Sequence, residues 1–144
     1  MPSAVGALRY SQENLQPRTG NDEMKRKETG NLGEKLARDH LKKKRHRILD
    51  TNYRCPHGEI DIISRQKDTL VFTEVRTKTG TDFGTPEESI TRTKRERMRA
   101  CAHYYLQTHE NPVKTWRIDV AAVEMDKNGK PSRIEFIENA VGEE

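Results

Sequence analysis

Between Gly58 and Lys78 the chain spells out two strands and the turn joining them, and no other segment narrows the fold as much. Glu59 to Ser64 and Leu70 to Thr77 are rich in Ile and Val, and Gln66-Lys67-Asp68 separates them, which predicts a hairpin. A two-residue loop at Lys67 and Asp68 pairs Gln66 with Thr69 and, counting outward, Asp61 with Glu74 and Glu59 with Arg76. Those four polar side chains then share one face. Ile60, Ile62, Thr73 and Val75 occupy the other, as a core-packed face requires. A four-residue loop preserves this pairing, whereas three or five residues shift it by one and part the acids.

The flanking segments supply helices and further strands. Asn31-Leu-Gly-Glu34 has the pattern of a capping box, and Leu32, Leu36, Ala37, His40 and Leu41 form an apolar arc behind it. This predicts a first helix from Asn31 to about Lys44, closed by the basic run Lys42 to Arg47. A strand over Arg47 to Tyr53 precedes the hairpin. After it, Thr85-Pro-Glu-Glu88 offers an N-cap, a first-turn proline and acids, so the second helix is expected to start there. Met98, Cys101, Ala102, Tyr105 and Leu106 give that helix its core stripe. Trp116 to Ala122 alternates as a fourth strand, and Arg133 to Ile137 follows the turn Asp126-Lys-Asn-Gly129 as a fifth. The order α-β-β-β-α-β-β makes an α/β fold, and a strand, a crossover helix and a strand imply that the third and fourth strands run parallel in a mixed sheet.

A chain of 144 residues holds one domain. Its first thirty residues are polar, hold Pro2, Pro17, Gly6, Gly20 and Gly30, and show no sustained period. They read as a mobile tail over residues 1–28, leaving 29–144 as the domain. Mean hydropathy is −1.05, and no apolar run approaches the roughly 20 residues of a membrane span, so a membrane partner is not expected. Met1 to Gly30 lack the apolar stretch of a secretory leader, which predicts a cytoplasmic protein whose Cys55 and Cys101 are free thiols.

Charge is unevenly placed. Residues 31–50 carry 7 basic and 3 acidic side chains and 91–117 carry 7 and 2, while 118–144 carry 3 and 7. The positive excess therefore sits on the two helices, either as solvated faces or as a grip on a polyanion.

Asp61 and Glu74 carry the sharpest chemical implication. Carboxylates about 5 Å apart repel each other, so stability alone does not put them there. A divalent cation removes the conflict, and oxygen-only ligands favour Mg²⁺ or Mn²⁺, completed by water and phosphate oxygens. Acids that are merely solvated, or neutralised by arginine, are the alternative. Cys55-Pro-His57 and Cys101-Ala-His103 suggest zinc, but residues two apart on a helix point about 200° away from each other, which rules against it.

Gly-Asn-Leu-Gly-Glu34, Gly58-Glu-Ile-Asp61, Val71-Phe-Thr-Glu74-Val-Arg76, Ser89-Ile-Thr-Arg-Thr-Lys94 and Arg117-Ile-Asp119-Val, in that order, resemble the YraN-like bacterial proteins over about residues 29–140. Those are similar to archaeal Holliday-junction resolvases and the wider restriction-endonuclease-like superfamily. The resemblance implies an endonuclease-like mixed sheet with flanking helices and a Mg²⁺-dependent endonuclease acting on branched or structured DNA. It places the metal-binding pair on Asp61 and Glu74 and an assisting acid on Glu34, which also fits as the capping partner of Asn31. The superfamily's signature lysine falls on Arg76. Its guanidinium can stabilise a developing phosphorane but cannot act as a general base, and Lys78, two residues along the same strand face, is placed to compensate. Lys42, Lys43, Arg92, Lys94 and Arg95 are the expected phosphate contacts, Glu59 either completes the acidic site or pairs with Arg76, and Asp119 is a supporting acid or an ion-pair partner. Resolvases act as symmetric dimers, so the resemblance also implies a homodimer. Two other readings stand beside a nuclease: a nucleic-acid-binding module without hydrolysis, favoured by Arg76, and a protein-interaction domain in DNA metabolism.

Overall fold

A computed structural model describes residues 20–80, 84–110, 113 and 115–141, with side chains from Met24 onward. The elements are α1 (Gly20–Lys43), β1 (Arg47–Cys55), β2 (Gly58–Gln66), β3 (Thr69–Thr79), a 3-10 turn (Glu87–Ser89), α2 (Arg92–Thr108), β4 (Thr115–Met125) and β5 (Pro131–Ile137). The strands form one five-stranded sheet in the order β1-β2-β3-β4-β5. Among the described residues only β3 and β4 are parallel, and α2 is the crossover between them. This is the expected α/β architecture.

The β2–β3 hairpin has the anticipated register. Gln66 pairs with Thr69 and Ile62 with Thr73 across a two-residue turn, and Lys67 takes the left-handed conformation such a turn needs, at φ 53°. Each face of the sheet is covered by one helix. Met98, Cys101, Ala102 and Tyr105 of α2 pack on Ile60, Ile63, Leu70, Phe72 and Ile118. Ala37 and Leu41 of α1 pack on Ile62, Val75, Ala121, Val123 and Met125. Each large apolar side chain fully withdrawn from water here contributes roughly 1.5–3 kcal/mol. Among the described residues no helix is long and apolar enough to cross a membrane.

Three local expectations are corrected. The first helix begins at Gly20 instead of Asn31, so residues 20–28 are helical and not tail, while 1–19 lie outside the described residues. Asn31 and Glu34 are therefore mid-helix and form no capping box. Gly30 and Gly33 look like a boundary because each costs a helix about 1 kcal/mol, and packing overrides that cost. Gly33 is buried where α1 crosses β3, and a Cβ there would stand 2.0 Å from Thr77 Oγ1. Leu32, assigned to the apolar arc, is 37% exposed.

The second helix begins at Arg92, not near Thr85. Thr85 N–H and Oγ1–H both donate to Glu88 Oε1 at 2.8 Å and the Glu88 N–H donates back to the Thr85 carbonyl at 3.2 Å, but these bonds close only the 3-10 turn. Ile90 is extended, and Thr91 restarts the chain as an N-cap by accepting the Lys94 N–H at 3.1 Å. The third correction concerns strand polarity. Ile60 and Ile62 belong to opposite clusters, because the regular β2–β3 pairing stops at Ile62↔Thr73 and β2 continues paired to β1 alone.

His46, in the turn between α1 and β1, is buried with Nδ1 2.9 Å from Ser64 Oγ. Burial, reinforced by the charge of Arg117, holds its imidazole below the ordinary 6.5. The unfolded chain takes up the proton first, so stability is full above pH 6.5 and declines as pH falls toward the folded-state value. Thermal melts of wild type and His46→Gln from about pH 7.5 to about pH 5.5 are expected to diverge by this decline, the wild-type midpoint falling relative to the variant's as pH drops. Parallel curves for the two proteins across that window contradict the assignment.

Candidate metal centre

Asp61 and Glu74 stand where the β2–β3 pairing ends. Asp61 Oδ2 accepts the Val75 N–H at 2.8 Å, so a side chain satisfies a main-chain donor just past the last ladder pair. That bond turns the Asp61 carboxyl toward β3 and brings it within hydrogen-bonding reach of Glu74. Both are buried, Glu74 to 3% exposure.

Two cations reach one oxygen of Glu74. Lys94 Nζ, from the first turn of α2, is 3.3 Å from Oε2, and Arg76 Nη1, two residues along β3, is 3.6 Å away. The other oxygen, Oε1, is buried and receives no hydrogen bond among the described residues. Burial, then the charge of Asp61, pushes the Glu74 carboxyl up to about 7 against the pull of Lys94. Burial likewise raises Asp61, opposed by the Val75 N–H. At neutral pH the pair is thus poised to share one proton or one cation.

A hard divalent ion fits this arrangement. The donors are all oxygen, one of them is an unpartnered buried acceptor, and a double positive charge removes the carboxylate repulsion. Among the described residues no group of three or more His, Cys, Asp and Glu side chains is placed to hold a metal, so a bound ion would have Asp61 and Glu74 as its carboxylates. That matches Mg²⁺, which keeps several waters and is completed by substrate phosphate.

Two basic clefts each contribute one of the cations that hold Glu74. One, about 610 Å³, runs between α1 and β3 and is lined by Lys25, Arg26, Glu34, Arg76, Lys78 and Ser89. The other, about 470 Å³, lies between the β1–β2 turn and α2 and is lined by Arg54, Glu59, Lys94 and Arg97 among others. Arg76 belongs to the first cleft and Lys94 to the second, and both hold the same carboxylate oxygen.

The remaining anticipated residues divide. Glu34 lines the first cleft, and its carboxyl is raised by burial and then by the charge of Asp61, so it lies beside the acids. Arg76 donates from Nε to Ser89 Oγ at 2.9 Å, and Lys78 lines the same cleft with its charge acting on Glu88. Glu59 does not pair with Arg76. Its partner is Arg54, directly across on β1 at 3.4 Å, because β2 has left β3 by that point. Asp119 is an ion-pair acid for Arg117 at 3.0 Å, and it accepts the Asn139 N–H at 2.9 Å. Lys42 and Lys43 end α1 about 12 Å along the helix axis from Glu34, away from the acids. Arg92 pairs with Glu96 at 3.3 Å, and Arg95 faces Glu87 and Val141 on the β5 side.

The structure adds one contact and one pair of cations that sequence reasoning missed. Lys94, expected as a phosphate contact, also reaches the buried acid; its i to i+7 relation to Cys101 in the core stripe puts it on the sheet-facing side of α2. Lys25 and Arg26 were assigned to the tail, and their signal was the basic run Lys25-Arg-Lys27 one helical turn before Gly30.

The profile of Uncharacterised protein family UPF0102 matches residues 33–123. The chain is similar to a UPF0102 protein of Dehalococcoides mccartyi, 44% identical over 119 residues that cover 83% of this chain and 97% of that one. It is 43% identical over 117 residues to one of Moorella thermoacetica, covering 81% and 98%, and 40% identical over 117 residues to one of Dictyoglomus thermophilum, covering 81% and 99%.

Proposed function

The chain belongs to the UPF0102 family, and on that premise we propose that it is a divalent-cation-dependent nuclease acting on DNA, with Asp61 and Glu74 holding Mg²⁺ or Mn²⁺. The observation carrying this reading is the buried carboxyl pair with an unpartnered oxygen, set between two basic clefts. When bound, the ion supplies a lowered pKa for water and positive charge for a phosphoryl oxygen. Lys94 and Arg76 hold Glu74 from one side, which leaves Oε1 for a ligand, and they bring fixed positive charge to the place where a phosphorane would develop. Lys25, Arg26, Lys78 and Arg97 line the clefts as sequence-independent grips on phosphate. Branched or structured DNA is the substrate class suggested by the resemblance to resolvases.

The test is cleavage of labelled duplex, flap and four-way junction with Mg²⁺ or Mn²⁺, alongside calorimetry with Mn²⁺ alone. Cation uptake and cutting abolished by chelator are expected. No uptake at millimolar Mn²⁺ defeats the reading. Lys94→Met is expected to slow single-turnover cleavage about 100-fold while leaving junction affinity nearly unchanged. Wild-type cutting by that variant removes Lys94 from the site. A second reading, binding without hydrolysis, is favoured by Arg76 in the place of the signature lysine. It predicts salt-dependent junction binding with no cutting in either metal.

A further inference from the structure

We propose that Cys55 and Cys101 are an oxidisable dithiol that closes to an intramolecular disulfide on meeting a low-molecular-weight disulfide. Both are free, and their Sγ atoms stand 3.1 Å apart although 46 residues separate them along the chain. Cys55 ends β1, and Cys101 lies in the middle of α2. Forming a bond of about 2.05 Å asks each sulfur to move roughly half an ångström. The elements are already in contact. Gly58, paired with Cys55 across the hairpin, approaches α2 so closely that a Cβ there would meet Cys101 Sγ at 3.5 Å and Arg97 Cβ at 3.7 Å.

Access and order of reaction follow from burial. Cys55 is half-buried and opens on the cleft shared with Glu59, Lys94 and Arg97, so a small disulfide reaches it, whereas Cys101 is sealed in the core. The His57 N–H donates to Cys55 Sγ at 3.3 Å. Cys55 sulfur attacks the small disulfide, forming a mixed disulfide and releasing one small thiol. Cys101 sulfur then attacks the Cys55 sulfur, the mixed bond breaks, and the Cys101 proton leaves on the second small thiol. The two protein thiols are oxidised and the small disulfide is reduced. Burial, together with the neighbouring Cys55, pushes the Cys101 thiol up to about 12, which makes it the second and slower participant. The product fastens the β1–β2 turn to α2 two helical turns beyond Lys94.

The experiment is incubation of the full chain with glutathione disulfide, acid quench, alkylation in denaturant and peptide mass mapping. Expected are a monomer with Cys55 and Cys101 peptides joined, and a thermal midpoint roughly 5–15 °C above the reduced protein, reversed by dithiothreitol. Cys101→Ser is expected to hold glutathione stably on Cys55. Alkylation of both thiols after the challenge, a cross-link between two chains, or glutathione left on wild-type Cys55 overturns the proposal. The wild-type map alone decides the matter if Cys101→Ser does not fold.

Discussion

Glu74→Gln is expected to abolish divalent-cation uptake while raising the melting temperature of the metal-free protein. The two effects have one cause. Glu74 is buried against Asp61, and burying a second like charge costs more than its ion pairs return, since Lys94 and Arg76 are each about a third exposed and contribute under about 1 kcal/mol apiece. A neutral isostere keeps the shape and removes the repulsion, for a net gain of about 1 kcal/mol and a midpoint shift of roughly 3–5 °C. The same change removes a ligand. Groups that only orient ligands cost 10–100-fold when lost, so cleavage is expected to fall by more than about 100-fold. Excess Mn²⁺ raises the wild-type midpoint by mass action and leaves that of Glu74→Gln unmoved. Asp61→Asn behaves alike toward the cation, because its remaining carbonyl oxygen still accepts the Val75 N–H. A variant that melts lower than wild type in chelator, or still responds to Mn²⁺, contradicts the assignment.

The other large effect is expected at Gly33→Ala. On an exposed helix this exchange stabilises by about 1 kcal/mol. Here the new methyl would stand 2.0 Å from Thr77 Oγ1 and 3.1 Å from Thr77 Cβ, so α1 must retreat from β3. Overpacking of this kind costs about 1–3 kcal/mol, and the accompanying loss of contact by Ala37 and Leu41 brings the penalty to the upper end. Denaturant melts are expected to show a loss of about 3 kcal/mol, partly restored by adding Thr77→Ala, which removes the atom in the way. Gly33 adjoins Glu34, so the single variant also shifts the acid that faces Asp61. A neutral or stabilising Gly33→Ala shows that the helix does not press on the strand as described.

Much of this was written in local pattern. The Lys67-Asp68 turn and the alternation on either side of it fix a register that holds as far as Ile62↔Thr73, and just past that pair the Asp61 bond to the Val75 N–H brings its carboxyl to Glu74. The crossover order likewise makes β3 and β4 parallel. What local pattern leaves out is contact between elements. Gly33 reads as a helix breaker until Thr77 is seen against it, and Lys25 and Arg26 read as tail until α1 is seen to continue back to Gly20. Of the two places open to Glu59, the pair with Arg76 fails because strict alternation assumes a ladder that persists, and this one ends at Ile62↔Thr73. The contact of Lys94 with Glu74 escaped for a related reason. Its position follows from the start of α2 at Thr91, and Thr85-Pro-Glu-Glu88 offered a stronger but misplaced starting signal.

The crossover placement of α2 has a kinetic corollary. β1, β2 and β3 form a meander joined by two-residue turns, so both acids come together by closing short loops, whereas Lys94 arrives only when α2, on the crossover to β4, docks on the sheet. During refolding the carboxyls therefore meet with Arg76 alone beside them, before Lys94 adds the second counter-charge. The early hairpin assembles against its own repulsion, and it is expected to form faster in mild acid, where one of the two is protonated, than in alkaline buffer.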